Sequence, residues 1–562
     1  MTARSRTGGE VLVDQLLVNG VDTVFAVAGE SYLAITDAMV DRADRIRVIS
    51  CRHEGGAAYM AEATGKLTGR PGVCLVTRGP GATNASIGVH VAQQDSTPMI
   101  LLVGQVDREF LGREAFQELD YAQVFAGLAK WATQIDDARR IPEVLHRAFR
   151  VAISGRPGPV VIALPEDMLR DVVTVEDAAP VAPVPAAPAA GGVEALLEMV
   201  AAASRPLLVA GGSCWDPAAA SALTELAERW GVPVVTTFRR QDLVDNRSPV
   251  FAGALGTGLG AVASAAVRQA DLVVAIGARL GEMSTSGYTL LGIPDPRVRL
   301  VHVHPSAEEL GRVYAADLSL QADPRELVPL LTRAEAPAGA DRHGWLAGIR
   351  DAYLAASEPQ DDQLGLDLAR VVQHLSETVP DDTVITNGAG NYTAWMHRYY
   401  RFRHYPSQLG PTAGAMGYGL PAAIAAAVER PDRLAIAFAG DGCMLMNGQE
   451  LATAVRYGLP VITIVVNNGH LGTIRLHQER RYPGRVINTG LTNPDFVAYG
   501  RAFGAWAERV ERTEDFPAAF ERARAVGGPA LLELVTDPEQ ATPDLRLSEV
   551  RAAAERAKRS SE

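Results

Sequence analysis

No apolar run in the 562-residue chain approaches the roughly 20 residues needed to cross a bilayer, so a soluble protein is expected. The opening, MTARSRTGGEVLVDQLL, has no apolar core followed by a small-residue cleavage site; nothing marks the chain for export, and the cytoplasm is the default expectation. Cysteine is scarce. Cys51, Cys74, Cys214 and Cys443 stand singly, without paired metal-ligand spacing or a disulfide framework, and read as small core residues. Basic runs are missing too, and a formal charge of -13 argues against a nucleic-acid surface, because phosphate binding needs clustered Lys and Arg. No glycine fingerprint with its downstream acid stands out, which weakens a nicotinamide dehydrogenase. What is present is a globular composition, 47% hydrophobic and 21% charged, suited to a small-molecule enzyme.

A soft prior of roughly 150 residues per domain gives three or four units at this length, and three are expected. The clearest seam is APVAPVPAAPAAGG, Ala179 to Gly192, where prolines and alanines replace any helical or strand period and favour an extended linker. A weaker seam, AEAPAGADRHG, runs from Ala334 to Gly344, before a helical stretch and the polar SEPQDDQ from Ser357. Between the seams, short apolar runs such as GVCLVT, MILLVGQV, PVVIALP, RPLLVAGG, DLVVAIGA and LAIAFAGDG alternate with Ala-rich helical stretches. Buried strands separated by helices mean parallel sheets covered on both faces, so the expected fold is α/β, with three doubly wound parallel-sheet domains over residues 1–175, 190–335 and 360–545. Ligands in such sheets sit beyond the carboxyl ends of the strands.

Two such loops carry chemistry. In AFAGDGCMLMNGQE, Asp441 follows the strand Leu434 to Ala439; PVITIVVNN ends in Asn467 and Asn468, with a helix around Glu450 to Tyr457 between the two runs. If the two strands are neighbours, a carboxylate, an amide oxygen and a nearby backbone carbonyl converge at one sheet edge, a set suited to magnesium. Gly440 and Gly442 let the backbone approach a phosphate. Gly-Asp-Gly alone is an ordinary turn; an Asn-Asn ending the next buried strand, 27 positions after Asp441, is not something a turn requires. Near the other end, RVISCRHEGGAAYMAEATGKLTGR reads as strand, turn and helix, with Glu54 at the helix start, where the helix dipole stabilises a carboxylate by roughly 0.3–1 kcal/mol.

With these residues in place, the chain resembles the thiamine diphosphate-dependent enzymes, whose signature is Gly-Asp-Gly, a spacer, then Asn-Asn. The resemblance implies that Asp441, Asn468 and the backbone carbonyl of His470 hold Mg2+ against the cofactor's diphosphate, with Gly442 and Cys443 beside it. GNYTAW, from Gly390, looks like a second diphosphate loop and offers Asn391 and Tyr392. Glu54 matches the catalytic glutamate, a carboxyl that shares a proton with a cofactor ring nitrogen and so activates the cofactor as nucleophile and electron sink. TRGPGATNAS, which holds Asn84, resembles the loop that follows it. In GPTAGAMGYGLPAAIAA, Met416 matches the wedge between the cofactor's rings, and the Gly414 carbonyl accepts from the pyrimidine amino group.

Likeness to acetolactate (acetohydroxyacid) synthase runs from Gly8 to about Pro543. It implies Phe116 and Gln117 of GREAFQELDY as active-site residues, and a homodimer at least, with a homotetramer expected. Met283, Ile474 and His477 fall at substrate positions. Met283 stands in GEM where the synthases carry an arginine for the acceptor carboxylate, His477 replaces a tryptophan and is given no proton-transfer role, and AVAGESY places Glu30 and Tyr32 where small residues are usual. The central stretch, with VAGGSCW, FAGALGTGLGA and VHVHPSAEELG, resembles a Rossmann-like FAD-binding domain; the glycines of GTGLGA serve either FAD or close helix packing. The expected function is a carboligase passing an acyl group from a pyruvate-like 2-oxo acid or an α-diketone to a second carbonyl compound. The alternatives are a 2-oxo acid decarboxylase, a flavin-linked oxidase, and a non-catalytic nucleotide-binding relative. The tail PDLRLSEVRAAAERAKRSSE is either a helix closing over the site or a frayed end.

Overall fold

The computed structural model describes residues 5–337 and 341–561. Each expected parallel sheet is present, with six strands. The innermost strands are buried along their whole length, as in Met99–Gln105, Pro159–Pro165 and Ala435–Gly440, because helices cover both faces of each sheet.

The first sheet runs Arg47–Ser50, Thr23–Ala26, Gly72–Val76, Met99–Gln105, Pro159–Pro165, Trp131–Gln134. The last runs Gln408–Leu409, Val384–Asn387, Ala435–Gly440, Val461–Asn467, Ala530–Val535, Trp506–Val510. Numbered along the chain, both have the order 2-1-3-4-6-5, so the two flanking sheets repeat one topology. The central sheet has the order 3-2-1-4-5-6. In all three, chain connections leave in opposite directions on either side of one central pair of strands, which opens a crevice at their carboxyl ends.

By contact the chain forms two compact units, Met1–Val184 with Ile424–Glu429, and the remainder, which holds both the central and the last sheet. The division at Val184 lies inside the proline-alanine seam; that seam is irregular up to Ala189, and helix Ala190–Ala202 then begins earlier than the expected linker end. The second seam does not divide units, because helix His343–Ala356 returns to the central sheet: Tyr353 joins its core, and Trp345 Nε1 donates to the Pro206 carbonyl at 2.8 Å. Residues 338–340 of that seam lie outside the described residues. The central and last sheets share the second unit through buried polar contacts. The Asp242 carboxylate accepts from the Ser407 and Gln408 amides at 2.9 and 3.0 Å, and Phe402 N donates to Asn246 Oδ1 at 3.0 Å. Burial pushes the Asp242 carboxyl above its ordinary value. All four cysteines are buried, and none is in a disulfide among the described residues. Among the described residues, no helix is long and apolar enough to cross a membrane.

Candidate active site

In the second unit, Ala435–Gly440 pairs directly with Val461–Asn467, so the loops bearing Asp441 and Asn468 do end at one edge. Asp441 is 3% exposed and opens helix Asp441–Asn447. Its Oδ1 accepts from Gly442 N at 2.8 Å, and its Oδ2 from Gly469 N at 2.9 Å and Asn493 Nδ2 at 2.8 Å. Burial raises this carboxyl, opposed by those donors. Asn493 also donates to Asn467 Oδ1 at 3.0 Å, while Asn467 Nδ2 donates to Glu533 Oε1 at 2.8 Å and Arg509 Nε holds Glu533 Oε2 at 2.8 Å. The Asn493 amide arrives here because Leu471 N bonds the Thr489 carbonyl and Leu491 N the Gly469 carbonyl, pinning one loop along the other.

Asn468 Oδ1 accepts from His470 N at 3.0 Å, and His470 Nδ1 lies 2.9 Å from the Asn468 carbonyl, so the turn after the strand is internally braced. Asn391, in the loop after Val384–Asn387, accepts from Thr473 Oγ1 at 2.8 Å. Asn391 and Asn468, with Tyr392 and Val466, line a cavity of about 30 Å³, room for one water. Among the described residues, Asn493 Oδ1, an acceptor, and Asn391 Nδ2, a donor, are buried without a partner. Loose ends of this kind call for an explanation. An acceptor beside a carboxylate suits a cation, and a free amide donor suits an anion. Among the described residues no three His, Cys, Asp or Glu side chains cluster, so a cation here would take a mixed set of one carboxylate, amides and carbonyls.

Glycines keep these loops close. A Cβ on Gly388 would lie 2.3 Å from Cys443 Sγ, and one on Gly440 2.9 Å from the Tyr392 ring. Cys443 is more than a small filler: its sulfur accepts from Gly417 N at 3.1 Å and from Tyr392 Oη at 3.5 Å. Burial, with Cys443 next, pushes the Tyr392 phenol well up. Gly442 packs on Leu471 and Leu491, with Met416 Cε 3.7 Å from where its Cβ would lie. Gly414 is exposed in the left-handed region at φ +70°.

In the first unit, Glu54 opens helix Glu54–Thr68, capped by His53 Nδ1, which accepts from Gly55 N at 3.0 Å. Asn84 Nδ2 donates to Glu54 Oε2 at 3.0 Å, and a Cβ on Gly81 would lie 3.5 Å from Oε1. Gly81 and Asn84 belong to helix Pro80–Asp95; a Cβ on its Gly88 would lie 2.4 Å from Ala58 Cβ, so the two helices touch by backbone. Gly79 N donates to Tyr121 Oη at 2.7 Å and packs on Gln117, which sits at φ +65°. Residues 112–120 form a loop braced by Glu118, which accepts from Gly112 N and Ala115 N at 2.6 and 2.9 Å; Phe116 is 71% exposed.

Ile474 and His477 share a face of helix Gly472–Arg481, and Met283 stands on a short turn, Glu282–Thr285, after the central sheet's fourth strand. All three are exposed, with no hydrogen bond or ion pair to one another among the described residues. Two of the three glycines of GTGLGA serve packing: Gly256 lies against Phe238, and Gly258 against the backbone of helix Thr393–Tyr399, while a Cβ on Gly260 would meet open space. The tail is neither frayed nor free. Helix Leu547–Ser561 docks on helix Gly472–Arg481, where Arg551 Nε and Nη2 grip the buried Glu479 at 2.8 and 2.5 Å.

Sequence reasoning did not find Asn493, Glu533, Arg509, Tyr121 or Glu479. Asn493 lies in TNPDF, where Asn before Pro reads as a turn, and its partner Asp441 is 52 positions away.

Three family models match the chain: the thiamine pyrophosphate enzyme N-terminal TPP binding domain over residues 6–124, the central domain over 193–331, and the C-terminal TPP binding domain over 388–534. The chain is 34% identical over 528 residues to an acetolactate synthase large subunit of Parasynechococcus marenigrum, covering 90% of this chain and 84% of the relative. It is 32% identical over 548 residues to an acetolactate synthase of Mycobacterium bovis, covering 94% and 88%. Against the acetolactate synthase isozyme 2 large subunit of Escherichia coli it is 31% identical over 535 residues, covering 94% and 95%. With three matched domains in order, and relatives spanning nearly its whole length, the chain belongs to the thiamine pyrophosphate enzyme family.

Proposed function

We propose that the protein is a thiamine diphosphate- and magnesium-dependent carboligase of acetolactate synthase type, passing an acyl group from a pyruvate-like 2-oxo acid or an α-diketone to a second carbonyl compound. The observation that carries this reading is the buried Asp441 carboxylate beside the unpartnered Asn493 Oδ1, with the free Asn391 Nδ2 on the neighbouring loop. The first two suit Mg2+, and the third suits a diphosphate oxygen.

In this reading Asp441, the Asn468 amide and the His470 carbonyl hold the ion. Asn391, Tyr392, Gly442 and Cys443 shape the diphosphate cradle, and Met416 and Gly414 receive the cofactor's rings. When bound, thiamine diphosphate supplies a carbon nucleophile and an electron sink for the carbonyl of the donor. Glu54, held by Asn84, moves a proton at its carboxyl to and from a ring nitrogen. Gln117 and Phe116 flank the reacting carbonyl; Met283, Ile474 and His477 border the acceptor, and the first two bring no charge to a carboxylate. The reading includes a homodimer at least, with Glu54 of one chain serving the Asp441 loops of another. It assigns the central sheet no flavin step, because two of the three glycines that suggested FAD, Gly256 and Gly258, are taken up by packing.

The test is to incubate the pure protein, thiamine diphosphate and Mg2+ with pyruvate, alone and with 2-oxobutyrate, acetaldehyde or diacetyl, and identify products by mass spectrometry. A carbon–carbon-joined product is expected. Acetaldehyde and CO2 alone would make the protein a decarboxylase, and failure to bind the cofactor would leave a non-catalytic relative.

A further inference from the structure

Resting on that function, we propose that Arg78 is a substrate-carboxylate anchor, taking the carboxylate of a 2-oxo acid on the guanidinium edge that Glu30 half fills.

Arg78 and Glu30 follow adjacent strands, Gly72–Val76 and Thr23–Ala26, which are the central pair where the first sheet's connections diverge. Their loops touch: a Cβ on Gly29 would lie 2.6 Å from Thr77 Cβ, and Ser31 Oγ lies 2.8 Å from Thr77 Oγ1. Arg78 immediately precedes Gly79, which starts the helix whose Gly81 and Asn84 meet Glu54 and which packs on Gln117. The guanidinium is therefore joined by one short stretch of backbone to the proposed catalytic carboxylate.

Its pairing is loose. Arg78 is 9% exposed, yet Nη2 reaches Glu30 at 3.1 Å and Nη1 reaches Glu166 at 3.4 Å, both long for charge-assisted bonds. Its Nε is buried and has no partner among the described residues. Elsewhere this chain fills the Nε and Nη2 edge with both oxygens of one carboxylate: Arg325 on Asp323 at 2.9 and 2.7 Å, Arg512 on Asp515 at 2.8 and 2.9 Å. At Arg78 the same edge carries one oxygen of Glu30 and an unused N–H.

Glu30 is the displaceable member. Its side chain is 66% exposed, and an exposed single-contact ion pair is weak. A planar carboxylate from a substrate matches both donors of the fork, and exchanging it for Glu30 leaves the local charge unchanged, with Arg170 still on Glu166 at 3.3 Å. A neutral diketone gains nothing from this edge.

The experiment uses the full chain loaded with thiamine diphosphate and Mg2+, with pyruvate as the charged probe and diacetyl as the neutral one. Arg78→Lys keeps the charge and removes the fork. It should raise KM for pyruvate on the order of ten- to hundredfold, the loss expected for a charge-assisted paired contact, with KM for diacetyl and cofactor affinity unchanged. Glu30→Gln should lower KM for pyruvate. Equal shifts for both probes, or none for pyruvate, would overturn the proposal. If pyruvate is not turned over, its binding to the Glu54→Gln holoenzyme, measured by calorimetry, must still weaken on adding Arg78→Lys. Wild-type protein that binds no thiamine diphosphate would count against the function itself and not against Arg78 in particular.

Discussion

Replacing Asn493 with alanine removes one amide that orients two others. The buried Asp441 Oδ2 loses its 2.8 Å donor and keeps Gly469 N, and Asn467 Oδ1 loses its 3.0 Å donor. A hydrogen bond to a buried charged group is worth about 1.5–3 kcal/mol, so the affinity for Mg2+ with thiamine diphosphate should fall about 10- to 150-fold. Asn493→Asp has nearly the same shape but sets a second carboxylate about 2.8 Å from Oδ2. At an effective dielectric constant of about 20, that repulsion reaches up to about 6 kcal/mol without the ion. The Asp variant should therefore melt lower than wild type without Mg2+, and Mg2+ should raise its Tm by more than it raises that of wild type. Tryptophan fluorescence titration reads the first effect and calorimetry with and without Mg2+ the second. An Ala variant whose affinity lies within about threefold of wild type, and an Asp variant indistinguishable from it, would refute the assignment.

Gly388→Ala should destabilise the second unit by about 1–3 kcal/mol, because its Cβ would lie 2.3 Å from Cys443 Sγ. Adding Cys443→Ala should recover part of the loss in denaturant melts, and additivity of the two changes would show the contact to be unimportant. Arg551 holds the Glu479 carboxyl at about 2, below its ordinary value of 4.5. A depressed carboxyl stabilises above the ordinary value and loses that effect as pH falls from there through the depressed one. Docking of helix Leu547–Ser561 should thus persist at neutral pH and weaken below about pH 4.5, and Glu479→Gln should release it already at pH 7. Amide exchange in that helix reads both; protection unchanged in the variant would refute the latch.

The sheets and the placing of the Asp441 and Asn468 loops were legible because each rests on local pattern: apolar runs of strand length, with Asp441 and Asn468 at the ends of two of them. Adjacency of those strands follows from strand-helix-strand order, and the structure pairs Ala435–Gly440 with Val461–Asn467 as that order requires. The helix start at Glu54 was legible for the same reason, while a role for its carboxylate came only from the family resemblance. The residues that brace these groups were not. Asn493 and Glu533 meet Asp441 and Asn467 across dozens of positions, and polar side-chain contacts at that range leave no periodic trace. Phe116, given as an active-site residue only by the resemblance, stands exposed on the loop over residues 112–120 that Glu118 braces through backbone amides. The joining of the central and last sheets into one compact unit was not legible, because it rests on buried hydrogen bonding around Asp242, not on a run of sequence.

The most direct measurement is thiamine diphosphate affinity, with Mg2+ present, in Asp441→Ala and Glu54→Gln measured side by side with turnover. Asp441→Ala should lose the cofactor, while Glu54→Gln should keep it and lose most turnover. Cofactor bound as tightly by Asp441→Ala as by wild type, or wild-type turnover in Glu54→Gln, would contradict the account.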